Sequence, residues 1–384
     1  MVSKFKLLMT TDVKSEVWDY SLTLSRALLK HINAEILMIS LGGNPTDTQR
    51  EELKDLNIEF QFTDFSPDLF ADIEANPDIL KMKSLFESTI KEFNPHIVHL
   101  NHGYPNFDFN KPCVFACHGD LLNKKMWHSD TNRHGSLHQN LLNYKQIINK
   151  NLNKSDIIIA QSRFIAECII KTYNFRKGIK IIYNGIDYKP YSGMPETPTL
   201  LASGDLSDRS KNINLLLNIA YKLPDNIKIK IIGESLPDKK LPRNVEFLGN
   251  LSGSELQEVY KNSSIYLALS SYEPNGLSSI QAAYSGCAIL ANDIPVFKEL
   301  WGDCACIFEK DNVNSLMRCI NNLVENRNLL ELTSKNCQAK ALSSFNSKRM
   351  AYEYINLYKN ILKKYQPSEK VSQENPKSFY NGIK

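Results

Sequence analysis

The segment SSYEPNGLSSIQAAYSGCAILANDIPVFKELWGD, residues 270–303, decides the fold. It follows the apolar run IYLAL (265–269) directly, takes a helical spacing over 276–285 and returns to a second apolar run, AILA (288–291). Strand, short turn, helix and strand in this order make a parallel βαβ unit. Glu273 then stands at the carboxyl end of the first strand, where open α/β sheets gather their ligands. From Asn275 to Leu277 the chain enters the helix, and Pro274 suits that entry. Helix-start N–H groups lack partners inside the helix, and the helix dipole favours an anion such as a diphosphate beside them.

The same rhythm runs outward in both directions. Upstream, FKLLMT (5–10), AEILMISL (34–41), IEFQF (58–62), HIVHL (96–100), CVFAC (113–117), DIIIA (156–160) and IKIIY (179–183) alternate with helical patterns such as 79–93. YKPYSGMPETP (188–198) has three prolines and no periodicity, so it reads as a linker. The alternation restarts with TLLAS (199–203), IKIKII (227–232) and VEFL (245–248), spaced by helical stretches at 212–222 and 253–262. A chain of 384 residues exceeds what one core ordinarily supports, so two domains are expected. The predicted fold class is α/β, with two Rossmann-like, doubly wound domains facing across a cleft. The domains are placed at 1–190 and 191–345. An amphipathic helix at 346–364, with Met350, Tyr354, Ile355, Tyr358 and Leu362 on one side, is expected to pack back toward the first domain, ahead of a polar tail at 365–384.

Composition narrows the partners. A net charge of +4 is too small to mark a nucleic-acid-binding protein. Its distribution is uneven: residues 51–100 carry 11 acidic and 4 basic side chains, residues 101–190 carry 13 basic and 6 acidic. The basic stretch is compatible with an anionic substrate or a peripheral contact at the inner face of a membrane. A solvated face is the plainer explanation. No apolar run approaches the ~20 residues of a membrane span, and the start of the chain has no leader pattern, so a cytoplasmic protein is expected. Eight cysteines in mostly apolar runs read as buried free thiols, and neither Cys113/Cys117 nor Cys304/Cys306 has zinc-site spacing.

The string YEPNGLSSIQAAYSGCAILANDIPVFKELWGD resembles the donor-binding segment of the retaining GT-B glycosyltransferases of family 4. HGD (118–120), DIIIAQSRFIAE (156–167), YNGID (183–187), SGDLSDRSKN (203–212) and VEFLGNLS (245–252) match the same family in the expected order, so the resemblance covers about residues 1–360. The resemblance implies a GT-B fold and a donor that is a nucleotide-diphosphate sugar. Glu273, the first acid of the family's E-x7-E pattern, would hold donor-sugar hydroxyls. The backbone of Asn275, Gly276 and Leu277 would bind sugar and distal phosphate. Lys211 would neutralise the departing diphosphate, with Arg209 able to reach in from the loop. His118 would approach the sugar from the first domain, Asn184 and Gly185 would form the turn toward the linker, and Val245 to Gly249 would lie beside the nucleobase. Without that motif context, a lone glutamate after a strand is ordinarily a solvated acid, and a lone histidine a structural one.

Three positions depart from the family pattern. The second acid of E-x7-E, on the ribose, is Gln281, which keeps hydrogen bonding and loses charge. The arginine usually paired with Lys211 is Asp205, which is expected to turn toward Arg209 or Lys211. The glycine pair of the first loop is Ser15-Glu16. The aromatics of WDY (18–20) and the pair Trp127-His128 read as packing residues. The expected function is retaining, metal-independent transfer of a hexose to a saccharide or lipid-linked acceptor, with no cofactor. The departures keep open a catalytically impaired GT-B protein that serves as a binding or scaffolding partner, and the same fold also hosts epimerases and phosphorylases. Donor sugar, nucleobase, acceptor and oligomeric state leave no side-chain signature in the sequence.

Overall fold

The computed structural model describes residues 4–41, 43–63, 77–101, 109–120, 122–124, 136–234, 241–251 and 253–365. Two compact units divide the chain. One is built from the chain up to Gln161, Ile165–Gly185 and the chain from Ser347, and the other from Ser162–Phe164 and Ile186–Asn346. The division falls at Gly185/Ile186, a few residues before the expected 190/191. Ile186 is already tied into the second unit, donating its N–H to Phe345 O (2.8 Å) and bridging Asn346.

The first unit holds a seven-stranded sheet: β1 (Phe5–Thr11), β2 (Ala34–Leu41), β3 (Glu59–Thr63), β4 (Ile97–Leu100), β5 (Cys113–Cys117), β6 (Ile157–Ala160) and β7 (Ile179–Ile181). The spatial order is β3-β2-β1-β4-β5-β6-β7, with every pair parallel. β4 and β5 are buried at every position, the pattern of strands covered by helices on both faces, and this is why they read as unbroken apolar runs. The second unit holds β8 (Thr199–Ser203), β9 (Lys228–Ile232), β10 (Val245–Phe247), β11 (Ile265–Ala268), β12 (Ala288–Asn292) and β13 (Cys306–Phe308), ordered β10-β9-β8-β11-β12-β13 and again parallel throughout. Each order reverses once, between β1 and β4 and between β8 and β11. A crevice forms outside the carboxyl ends of the strands at such a reversal.

The last helix, Ser347–Tyr365, belongs to the first unit. Met350, Ala351, Tyr354, Ile355, Leu357, Tyr358 and Ile361 are buried in one core with Leu7, Met9, Trp18, Tyr20 and Leu24. Polar ties fix its two ends. Arg349 Nη2 donates to Tyr183 O (2.6 Å) near the start, and Tyr365 OH donates to Asp156 Oδ1 (2.7 Å) at the finish. The expected polar tail from 366 onward lies outside the described residues.

This core encloses a histidine. His99, in the middle of β4, has no exposed surface, and its Nδ1 lies 2.7 Å from Tyr358 OH. The rings of Tyr20, Tyr354 and Tyr358 pack around it, and its Nε2 is buried without a hydrogen-bond partner. Burial pushes its pKa from the ordinary 6.5 down to about 3. The folded value lies below the unfolded one, so the neutral ring stabilises the fold above pH 6.5, and that contribution is lost as the pH falls from 6.5 toward 3. Urea unfolding between about pH 6.5 and 4.5 should therefore show wild-type protein losing about 1.4 kcal/mol per pH unit more than a His99→Leu variant. Parallel pH profiles for the two proteins would contradict a ring held neutral by its surroundings.

Candidate functional site

The second unit assembles its polar cluster at the β8/β11 reversal. The loop leaving β8 is drawn against the loop leaving β9, since a Cβ on Gly233 would lie 2.4 Å from Gly204 O, a separation only glycine allows. Asp208 Oδ1 then accepts the Ser210 N–H (2.9 Å) and so starts a single 3-10 turn, Arg209–Lys211. That turn delivers Lys211 Nζ to 3.2 Å from Oε2 of Glu273. Glu273 follows β11, is 6% exposed, and receives two further donors: Ser270 Oγ at 3.4 Å on Oε2 and the Gly276 N–H at 3.2 Å on Oε1. A carboxylate this buried needs such partners to remain charged.

Gly276 caps the following helix, Leu277–Tyr284, with a φ of +64°, and a Cβ there would meet Leu300 Cδ1 at 2.4 Å. Asn275, 4% exposed, turns its Oδ1 onto the Leu277 N–H (3.0 Å). The amides of Gly276 and Leu277 are therefore engaged by the protein's own Glu273 and Asn275, whereas the sequence pointed them at a ligand. The next two amides, of Ser278 and Ser279, are first-turn groups with no acceptor inside the helix. Ser203, Lys211, Tyr266, Glu273, Ser278 and Ser279 line a small recess.

Gln281 is 4% exposed and held at both ends by phenols: Tyr260 OH donates to its Oε1 (3.4 Å), and its Nε2 donates to Tyr188 OH (3.1 Å). A neutral amide accepts and donates at once, so it fills this pocket without burying a charge. Asp205, expected to turn toward Arg209 or Lys211, has its Oδ1 on the Ser207 N–H (2.9 Å), closing a turn of its own loop, and Lys211 pairs with Glu273. Arg209 shares the turn with Lys211 and is exposed. Gly249 ends the segment after β10 with its carbonyl accepting the Gly233 N–H (3.1 Å).

The first unit gathers a separate set at the carboxyl ends of its strands. His118 directly follows β5, and its Nε2 lies 3.0 Å from Asn101 Oδ1. The Tyr20 ring packs edge-on against the His118 ring, with centroids 4.3 Å apart and planes at 65°. Two residues along, Asp120 is 8% exposed and accepts from Tyr173 OH, Tyr144 OH (3.2 Å) and the Asn123 N–H (2.8 Å). Burial pushes its carboxyl above the usual range, and the hydrogen bonds oppose that shift. This knot ties the His118 loop to the helices Ser136–Lys154 and Arg163–Tyr173. Asn184, expected at the turn toward the linker and among the donor-binding groups, lies at the end of the first unit's chain segment Ile165–Gly185. Its Oδ1 is buried without a hydrogen-bond partner. At the first loop, Ser15 Oγ accepts the Val17 N–H (3.3 Å) where the helix Val17–His31 begins, a use for the residue that stands in place of glycine. Trp127-His128 lies outside the described residues.

Asn101, Asp120, Tyr188 and Tyr260 were not picked out from the sequence. Asn101 and Asp120 sit just beyond strand ends, in HIVHLN and CVFACHGD, where strand-end reasoning would have reached them. The two tyrosines carry no such local signal.

A family model described as Glycosyltransferase Family 4 matches residues 19–189, and one described as Glycosyl transferases group 1 matches residues 189–340. Among curated proteins, the O-antigen chain mannosyltransferase RfbU of Salmonella typhimurium is 22% identical over 225 residues, 56% of this chain and 60% of that protein. The O-antigen biosynthesis glycosyltransferase WclY of Escherichia coli is 26% identical over 202 residues, 48% of this chain and 56% of that protein. The match thus spans less than two thirds of these relatives' length. Among solved structures, sucrose-phosphate synthase from Thermosynechococcus elongatus aligns with a TM-score of 0.74 at 15% identity, covering 94% of this chain and all of that one. Anabaena HepE, in complex with UDP and glucose, aligns at 0.71 and 16% identity, covering 93% of this chain and all of that one. At these identities the structural matches speak to fold.

The packing around Gly276 yields a stability test. Gly276→Ala should cost about 1–3 kcal/mol, through the clash with Leu300 and the positive φ. Gly178→Ala, where nothing lies within 4 Å of the new Cβ, should change the urea midpoint little. Equal midpoints for the two variants would mean that the helix start tolerates a side chain.

Proposed function

The chain belongs to the GT-B glycosyltransferases of family 4, and from that membership we propose that it moves a hexose, with retention, from a nucleotide-diphosphate sugar to a saccharide or lipid-linked acceptor. The observation that carries the reading is the Lys211–Glu273 pair at the β8/β11 reversal, beside the helix that starts at Leu277. The two charges divide the work. Glu273 presents a carboxylate to sugar hydroxyls, its Oε1 and Oε2 already oriented by Gly276, Ser270 and Lys211. Lys211 meets the charge that builds on the leaving diphosphate, helped by Arg209 from the same turn and by the first-turn amides of Ser278 and Ser279.

With these positive groups the reading needs no metal ion, and catalysis is by positioning and charge stabilisation. Retention follows in this reading from departure and attack on one face, the leaving phosphate oxygen taking the acceptor proton. His118 keeps, in this reading, the sugar-contacting role that the family resemblance implies for it. The curated relatives named for O-antigen work support a saccharide acceptor. HepE, solved with UDP and glucose, supports a nucleotide-sugar donor. Among the described residues no helix is long and apolar enough to cross a membrane. The basic stretch at 101–190 suits peripheral contact with an anionic surface, where a lipid-linked acceptor would be met.

An impaired scaffold gains no support. Gln281 is satisfied by Tyr188 and Tyr260, Asp205 closes its own turn, and the Lys211–Glu273 pair is intact.

Incubation with UDP-, GDP- and ADP-hexoses should raise the thermal midpoint and release nucleoside diphosphate slowly with at least one of them. Glu273→Gln, which keeps shape and removes charge, should lower turnover by about 10²–10³-fold while the protein remains folded. Silence of the wild-type protein across the whole panel would sink the reading.

A further inference from the structure

Asn101 occupies the carboxyl end of β4, between β1 on one side and β5 on the other. Its backbone N–H donates to Thr10 Oγ1 (2.7 Å), and its side-chain Nδ2 donates to Thr10 O (2.8 Å). A backbone carbonyl only accepts, so the end of the amide that faces Thr10 must be the NH2 group. Its other end, Oδ1, is then the atom 3.0 Å from His118 Nε2. An amide oxygen has no proton to give, so the ring nitrogen opposite it must be the donor. Asn101 is 3% exposed, which keeps water from competing for that bond. The Tyr20 ring, 4.3 Å away, packs against the imidazole from the Val17–His31 helix and hinders its rotation.

We propose that Asn101 is a positioning residue which fixes His118 in the tautomer protonated on Nε2, so that the neutral ring carries its lone pair on Nδ1. The proposal rests on the transferase reading for its use. A substrate hydroxyl that reaches Nδ1 then meets a hydrogen-bond acceptor, and a nearby anion finds no N–H there until the ring is protonated. Among the described residues, the Tyr20 phenol packs against the ring and donates to Tyr354 OH, while the Asp120 carboxyl, two residues along the chain, accepts from Tyr144, Tyr173 and Asn123. Asn101 adds orientation without adding charge. An aspartate in its place would keep the acceptor and favour the imidazolium.

The test begins with the full-length wild-type protein labelled with 15N-histidine, His118 being assigned by the signal lost in His118→Gln. Long-range 1H–15N correlations above the ring's titration should show the Nε2-protonated tautomer. Asn101→Leu should mix the tautomers and lower kcat on a nucleotide sugar about tenfold or more, with KM changed less than about threefold. Asn101→Asp should raise the titration of His118 by about one pH unit or more, and move the acid limb of the kcat profile by the same amount. A wild-type ring protonated on Nδ1, or an Asn101→Leu protein with unchanged tautomer and unchanged pH profile, would overturn the proposal. The spectra need no substrate. If the expected tautomer is seen while no nucleotide sugar binds or turns over, the transferase reading falls and the hold of Asn101 on His118 stands.

Discussion

Glu273 is a charge that the second sheet could not enclose alone. Moving a carboxylate out of water costs several kcal/mol, which a close cation with further donors offsets. Lys211 is that cation, 62 residues away in sequence and 3.2 Å away in space. For the two to meet, β8 must lie beside β11, the loop after β8 must press against the loop after β9 through Gly204 and Gly233, and Asp208 must start the turn that aims Lys211 inward. The same carboxylate then takes the Gly276 N–H and so sets the entry to the Leu277–Tyr284 helix. Lys211 keeps 26% of its side chain exposed, against 8% for Glu273, so the cation is the more open member of the pair. That asymmetry suits a site whose cation is to meet a charged group arriving from outside.

The first unit uses its strand reversal with different chemistry. Where β1 meets β4 the polar contacts are neutral, running from Thr10 through Asn101 to His118, and the one buried carboxylate of that loop, Asp120, is committed to holding the loop in place. Behind them, the His99 and tyrosine cluster binds the last helix to the sheet.

Strands β4, β5, β11 and β12 were legible because burial on both faces leaves them mostly apolar, His99 and Asn292 being the polar exceptions, and so were the places where they end. β13 was missed: Cys306–Phe308 carries too short an apolar run to stand out, and pairing with β12 makes it a strand. Glu273, Lys211 and His118 could be found because each follows a strand inside a recognisable motif. Asn101's contacts could not, since they depend on β4 lying between β1 and β5, an adjacency no local pattern encodes. The exchange at Gln281 read as a loss from the sequence alone. Its reason lies in Tyr188 and Tyr260, 93 and 21 residues away, which together want both a donor and an acceptor at that point. The helix-start amides were read from the general property of helix ends, which does not say that Asn275 and Glu273 would cap two of them.

Lys211 and Glu273 form their pair in advance of the ligand, and a crystal structure of the protein with a nucleotide-diphosphate hexose tests this most directly. The expected result is a diphosphate oxygen within hydrogen-bond reach of Lys211 Nζ, beside the first turn of the Leu277–Tyr284 helix, with sugar hydroxyls on the Glu273 carboxylate. A nucleotide bound elsewhere, with the pair undisturbed and its recess empty, would contradict it.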